Sequence, residues 1–147
     1  MPSFDKDFMN AKGTPIKYKD LELIRIDRIP VKKKFSGYLR IISTNSEWKQ
    51  GIRIRVDGSM TINACEGNDF IIWADDVKGD IPFEGTSKKS QLMIWNAWDT
   101  GSGRVDAWLN GAAMILELHG NTRRYKCNDS HPDENFDDII FEVILNE

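Results

Sequence analysis

The chain has 147 residues, is 40% hydrophobic and 29% charged, and carries a formal net charge of −3. That length accommodates one domain with a substantial core and is short for two. The charge balance argues against nucleic acid as the main partner, and no apolar run is long enough for membrane insertion.

From the N-terminus, Met1 to Gly13 is polar and charged, without the apolar core of a signal peptide. The expected location is the cytoplasm, or outside the cell after release without a classical signal. Residues 1–18 read as an extended arm or an extra edge strand, and residues 19–147 as a β-domain. Apolar residues then recur at every second position, the period of a half-buried strand. Ile52-Arg53-Ile54-Arg55-Val56 is the clearest case, and Leu21–Ile29, Tyr38–Ser43, Phe70–Trp73, Leu92–Trp95, Val105–Leu109, Met114–Leu118 and Ile139–Leu145 follow the same rhythm. Turn signals separate them: Asp57-Gly58, Glu66-Gly67-Asn68, Lys78-Gly79-Asp80, Thr100-Gly101-Ser102-Gly103 and Asn110-Gly111. Lys32-Lys33-Lys34 reads as a solvated turn. Only Ala112–Leu118 competes for a short helix. The expectation is an all-β, single-domain antiparallel β-sandwich of jelly-roll or Greek-key type.

Cys65 and Cys127 are too few for a disulfide framework, and the sequence leaves open whether they pair. Of the five tryptophans, Trp73, Trp95 and Trp108 fall within strand patterns and are expected in the core. Trp48 lies in a polar stretch and is the candidate for an exposed ring. The chain has no GxSxG elbow, Gly-rich phosphate loop or HExxH helix. His119 and His131 are far apart, and the neighbours Asp75-Asp76 and Asp137-Asp138 would point to opposite faces of a strand. No acid/base couple emerges, so the chain is not expected to be an enzyme.

The densest chemistry is near the C-terminus. Asp129, Asp133, Glu134, Asn135, Asp137 and Asp138 crowd into ten residues before the apolar strand Ile139–Leu145. Such crowding is unfavourable unless water screens it or a cation is bound, and Ca²⁺ takes six to eight oxygen ligands. A solvated acidic turn and a calcium loop are the two readings. Asp133, Asn135 and Asp137 follow the start of an EF-hand loop, but Asp138 replaces its sharp-turn Gly and Ile144 its bidentate Glu.

The segment Asp129–Leu145 resembles the C-terminal calcium loop and final strand of the bacterial calcium-mediated fucose/mannose-binding lectins. The matching positions are Asp129, Asp133, Asn135, Phe136, Asp137 and Asp138, without a gap. A second element is similar too: Asn45-Ser46 stands seven residues before the alternating strand that starts at Ile52. The resemblance covers about a fifth of the chain. Its departures are Asn135 where the family has its central Asp, Asp137 where it has Asn, bulky Glu47 and Trp48 in the specificity loop, and an extra N-terminal segment.

The resemblance implies a lectin that binds glycans or monosaccharides, of fucose or mannose type, through one or two Ca²⁺ ions. Asn45, Asp129, Asp133, Asn135, Asp137 and Asp138 would hold the metal. Asn45, Ser46, Glu47, Trp48, Asp129, Asp133, Asn135 and Asp137 would meet the sugar. It also implies a homodimer, in which a neighbour's C-terminal carboxylate completes each site; the sequence here ends at Glu147, one residue short of the family's last position by ungapped counting. The alternative is a non-enzymatic interaction sandwich of immunity or toxin-associated type, with a structural acidic loop and a basic protein partner.

Overall fold

Alternating side chains give β-strands because successive residues point to opposite faces, so one apolar stripe is buried and its polar partner solvated. The computed structural model describes residues 4–109, 111–130 and 135–146. A short helix, α1 (Asp5–Asn10), comes first. It is followed by β1 (Ile16–Tyr18), β2 (Leu21–Leu23), β3 (Asp27–Pro30), β4 (Lys34–Thr44) and β5 (Lys49–Ile62). Then come β6 (Cys65–Trp73), β7 (Ile81–Asp99), β8 (Ala113–His119), β9 (Thr122–Asn128) and β10 (Ile139–Leu145). No described helix is long and apolar enough to cross a membrane.

The fold is an antiparallel β-sandwich built from a small β1-β2 hairpin and one large sheet in the order β6-β5-β7-β4-β10-β9-β8, with β3 added beside β7. The large sheet folds back on itself. The first part of β7 pairs with β4 and its later part, Gln91–Ile94, with β3, while β5 runs along its other edge. On the far side, Ile24 exchanges backbone bonds of 2.9 and 2.7 Å with Met114 of β8. The main core fills the interior with Ile52, Ile54, Val56, Phe83, Ile94, Tyr125, Phe141 and Val143.

Several sequence signals resolve differently in three dimensions. The Asp57-Gly58 turn signal lies inside β5, where the register against β7 jumps between Val56 and Gly58. A Cβ on Gly58 would stand 2.1 Å from the Thr86 carbonyl oxygen, so a close strand approach, and not a hairpin, requires this glycine. Glu66-Gly67-Asn68 likewise sits within β6, and the β5–β6 turn is Asn63-Ala64, with φ of 50° and 64°. Ala113–His119 is a strand, in line with the alternation at Met114–Leu118 and against the competing short helix. Val105–Leu109 forms no strand, only a bridge from Asp106 to Trp98. Trp108 there takes φ 61°, lays its ring 5.1 Å from Trp95 and donates from Nε1 to the Arg25 carbonyl at 2.8 Å.

Two elements escaped the pattern. Strand β9, Thr-Arg-Arg-Tyr-Lys-Cys-Asn, looks too polar. Its Arg124 nevertheless lies across Glu142 of β10 at 2.8 Å, while Arg123 and the Tyr125 hydroxyl both meet the buried Asp27 carboxylate. The segment read as an extended arm or an extra edge strand carries α1 and, at its end, the strand β1 paired with β2. Cys65 is exposed and Cys127 buried, and the two are free thiols.

Candidate functional site

Strand register by itself gathers the candidate residues. β10 lies between β4 and β9, with Ile139 opposite both Thr44 and Cys127. One step beyond the strands, the Asn45 N–H donates to the Asp138 carbonyl, and the Asp138 N–H to the Cys127 carbonyl, each at 3.0 Å.

Side chains then tie the early loop to the acidic one. Asn45 Nδ2 donates to Asp137 Oδ2 at 2.9 Å, and the Ser46 hydroxyl donates to Asp129 Oδ2 at 2.7 Å. Asp129 is fully buried, and Gln50 Nε2 gives the same Oδ2 a second bond at 3.0 Å. The Asp129 N–H in turn donates to Asp138 Oδ2 at 2.9 Å, and Asp138 is also buried. Buried carboxylates are costly unless fixed donors replace their water, and here Ser46, Gln50 and a backbone amide do so. Burial pushes the Cys127 thiol well above its ordinary value, and the Asp138 carboxylate adds to the effect.

Asn45 and Glu47 are exposed at this end, while Ser46 and Trp48 are half-buried. Trp48 is neither a core residue nor a freely projecting ring. Its N–H donates to Ser46 Oγ at 3.2 Å and its carbonyl accepts from Gln50 Nε2 at 3.3 Å. Asn135 is exposed and Asp137 half-buried. Asp133, His131 and Glu147 lie outside the described residues.

Calcium can be tested against this donor set. Among the described residues, no three His, Cys, Asp or Glu side chains converge as a metal-holding group. The donors are nevertheless all oxygen, as a hard cation requires. Among the described residues, Gln50, which binds Asp129 through its amide nitrogen, finds no hydrogen-bond partner for its buried Oε1. In donor chemistry the site fits calcium. Asp129 and Asp138 already accept N–H and O–H donors behind the surface, and Asn45, Asn135 and Asp137 are the more accessible of the set.

Sequence reasoning missed Gln50, although a signal for it exists. Gln50 shares parity with Ile52, Ile54 and Val56, so a polar residue stands at an inward-facing position of a strongly alternating strand. It also missed Asn96, which reaches from β7 to the Asn128 carbonyl at 2.8 Å, and for Asn96 no local pattern distinguishes the residue. Compared with protein-family models and with curated proteins, the chain gives no match.

Proposed function

We propose that the protein is a non-catalytic, calcium-dependent carbohydrate-binding protein, a lectin for the monosaccharide termini of glycans. The observation that carries the reading is the pair of hydrogen bonds Asn45–Asp137 and Ser46–Asp129, which join two distant segments that the lectin resemblance independently singled out. A bound calcium would supply coordination positions at which vicinal sugar hydroxyls replace water. Asn45, Asn135 and Asp137 would face the ion, with Asp133 proposed as a further ligand, while Asp129 and Asp138 hold the frame behind them. Ser46 would border the sugar, and Glu47 and Trp48, on the same loop, would select which sugar enters.

The homodimer belongs to the same proposal. Strand β10 carries the chain about 20 Å away from the loop at roughly 3.3 Å per residue, and the Asn146 N–H is bonded to the Ser36 carbonyl at 2.9 Å. The carboxylate that the resemblance implies for completing each site is accordingly proposed to come from a second subunit.

Thermal unfolding in calcium and in chelator tests the ion directly. If calcium binds only the folded chain, a concentration 100 times Kd adds about 2.7 kcal/mol. Coincident melting curves together with a null calorimetric titration would refute the calcium reading.

A further inference from the structure

Phe136 sits in the middle of the acidic loop, between Asn135 and Asp137, yet it is only 3% exposed. Its φ is 53°, in the left-handed region that a bulky residue adopts only when its surroundings enforce it. Two things enforce it here. The Phe136 N–H donates to Asn128 Oδ1 at 2.8 Å, and Asn128 is itself fully buried. The ring belongs to a second hydrophobic core, separate from the main one, with Phe4, Phe8, Leu23 and Ala113, against which Ile16, Tyr18 and Ile115 pack.

Most of that second core comes from the N-terminal segment. Phe4 and Phe8, four residues apart, share one face of the first helical turn. Phe4 meets Tyr18 of β1 edge-on at 5.0 Å, and the Arg25 guanidinium lies 5.7 Å over Phe8 and 5.4 Å over Trp108. A helix of six residues does not hold its shape in water by itself. Its order depends on the rings it covers, and Phe136 is one of them.

From this packing we infer that the N-terminal segment, residues 4–23, is a clasp that shapes the acidic loop, with Phe136 as the positioning residue. The neighbours of Phe136, Asn135 and Asp137, point their chemistry outward only while its ring is held inward. Docking of α1 and ligand binding at the loop are therefore coupled, and by linkage each strengthens the other equally. The coupling to calcium rests on the proposed function; the clasp itself does not.

The test combines hydrogen exchange with calcium titration on the full chain, comparing wild type, Phe8→Ala, the conservative Phe8→Leu and the surface control Met9→Ala. Phe8→Ala should speed exchange of the Phe136 and Asp138 amides at least tenfold while leaving β5 and β7 amides unchanged. It should also weaken calcium binding about tenfold, within the usual range of coupling. Phe8→Leu should restore both, and Met9→Ala should change neither. In wild type, the α1 and loop amides should open together as denaturant is raised, a readout that survives if Phe8→Ala fails to fold. Loop exchange unchanged in Phe8→Ala, or separate opening of α1 and loop in wild type, would overturn the clasp. Unchanged calcium affinity despite a freed loop would overturn the coupling. A wild type that binds no calcium, beside a Phe8→Ala loop that exchanges faster, would sink the proposed function and support the clasp.

Discussion

Asn45 and Asp137 stand 92 positions apart and share a 2.9 Å hydrogen bond between their side chains. The bond is a consequence of strand order. Because β10 pairs with both β4 and β9, whatever follows β4 must meet whatever precedes β10. The sandwich thereby converts two loops into one surface in which an amide and a carboxylate are already oriented, so less ordering entropy is left for a ligand to overcome.

Asp129 should be the residue of this surface most sensitive for stability. Asp129→Ala removes the carboxylate acceptor of the Ser46 hydroxyl and leaves the buried Gln50 Nε2 with the Trp48 carbonyl at 3.3 Å, and is expected to cost roughly 1–3 kcal/mol. Asp129→Asn, which keeps one acceptor oxygen, should cost less. Denaturant titration measures both, and a wild-type midpoint for Asp129→Ala would show that the buried network contributes nothing.

Acid should weaken the fold through Asp69. Hydrogen bonds from Arg53 at 2.7 Å and Arg55 at 2.9 Å hold its carboxyl below the ordinary value of 3.8, with Arg53 the larger cause. A folded-state value lowered in this way means that the contribution is fully present above 3.8 and is lost as pH falls through the lower folded value. Asp69→Asn should therefore cost no more than about 1 kcal/mol at neutral pH, as partly exposed ion pairs do. The difference from wild type should shrink as the pH is taken below the ordinary carboxylate range. A constant difference across that range would rule out the ion pair as its source.

The two cysteines should differ in reactivity. Cys65 is exposed and Cys127 is fully buried, with its thiol held well above the ordinary value. Since the thiolate is the reactive form, a thiol reagent should modify Cys65 alone in the native protein and both residues after unfolding. Equal rates at both sites in native buffer would contradict the burial of Cys127.

The β-sandwich was legible in the sequence because Ile52, Ile54 and Val56 and their counterparts keep strict alternation. β9 was not, because Arg123, Arg124 and Lys126 mask the inward pair Tyr125 and Cys127. Their charges are met by Asp27, Glu142 and Glu117 on neighbouring elements, and no local pattern can announce such partners. Helix α1 is too short for periodicity to show. The turns at Asp57-Gly58 and Glu66-Gly67 were misplaced because glycine marks a close backbone approach as readily as a reversal. In the site, the oxygen-rich residues were visible from composition and spacing. What arranges them was not: Gln50, Asn96 and the N-terminal rings around Phe136 act across the fold.

A glycan array run in calcium and repeated in chelator, with wild type and Asp137→Ala, tests the central claim most directly. The account predicts binding to monosaccharide termini in calcium, its loss in chelator, and its loss in Asp137→Ala even with calcium present. A calcium-loaded wild type that binds no glycan would contradict it, leaving the ion structural and turning the search toward a protein partner.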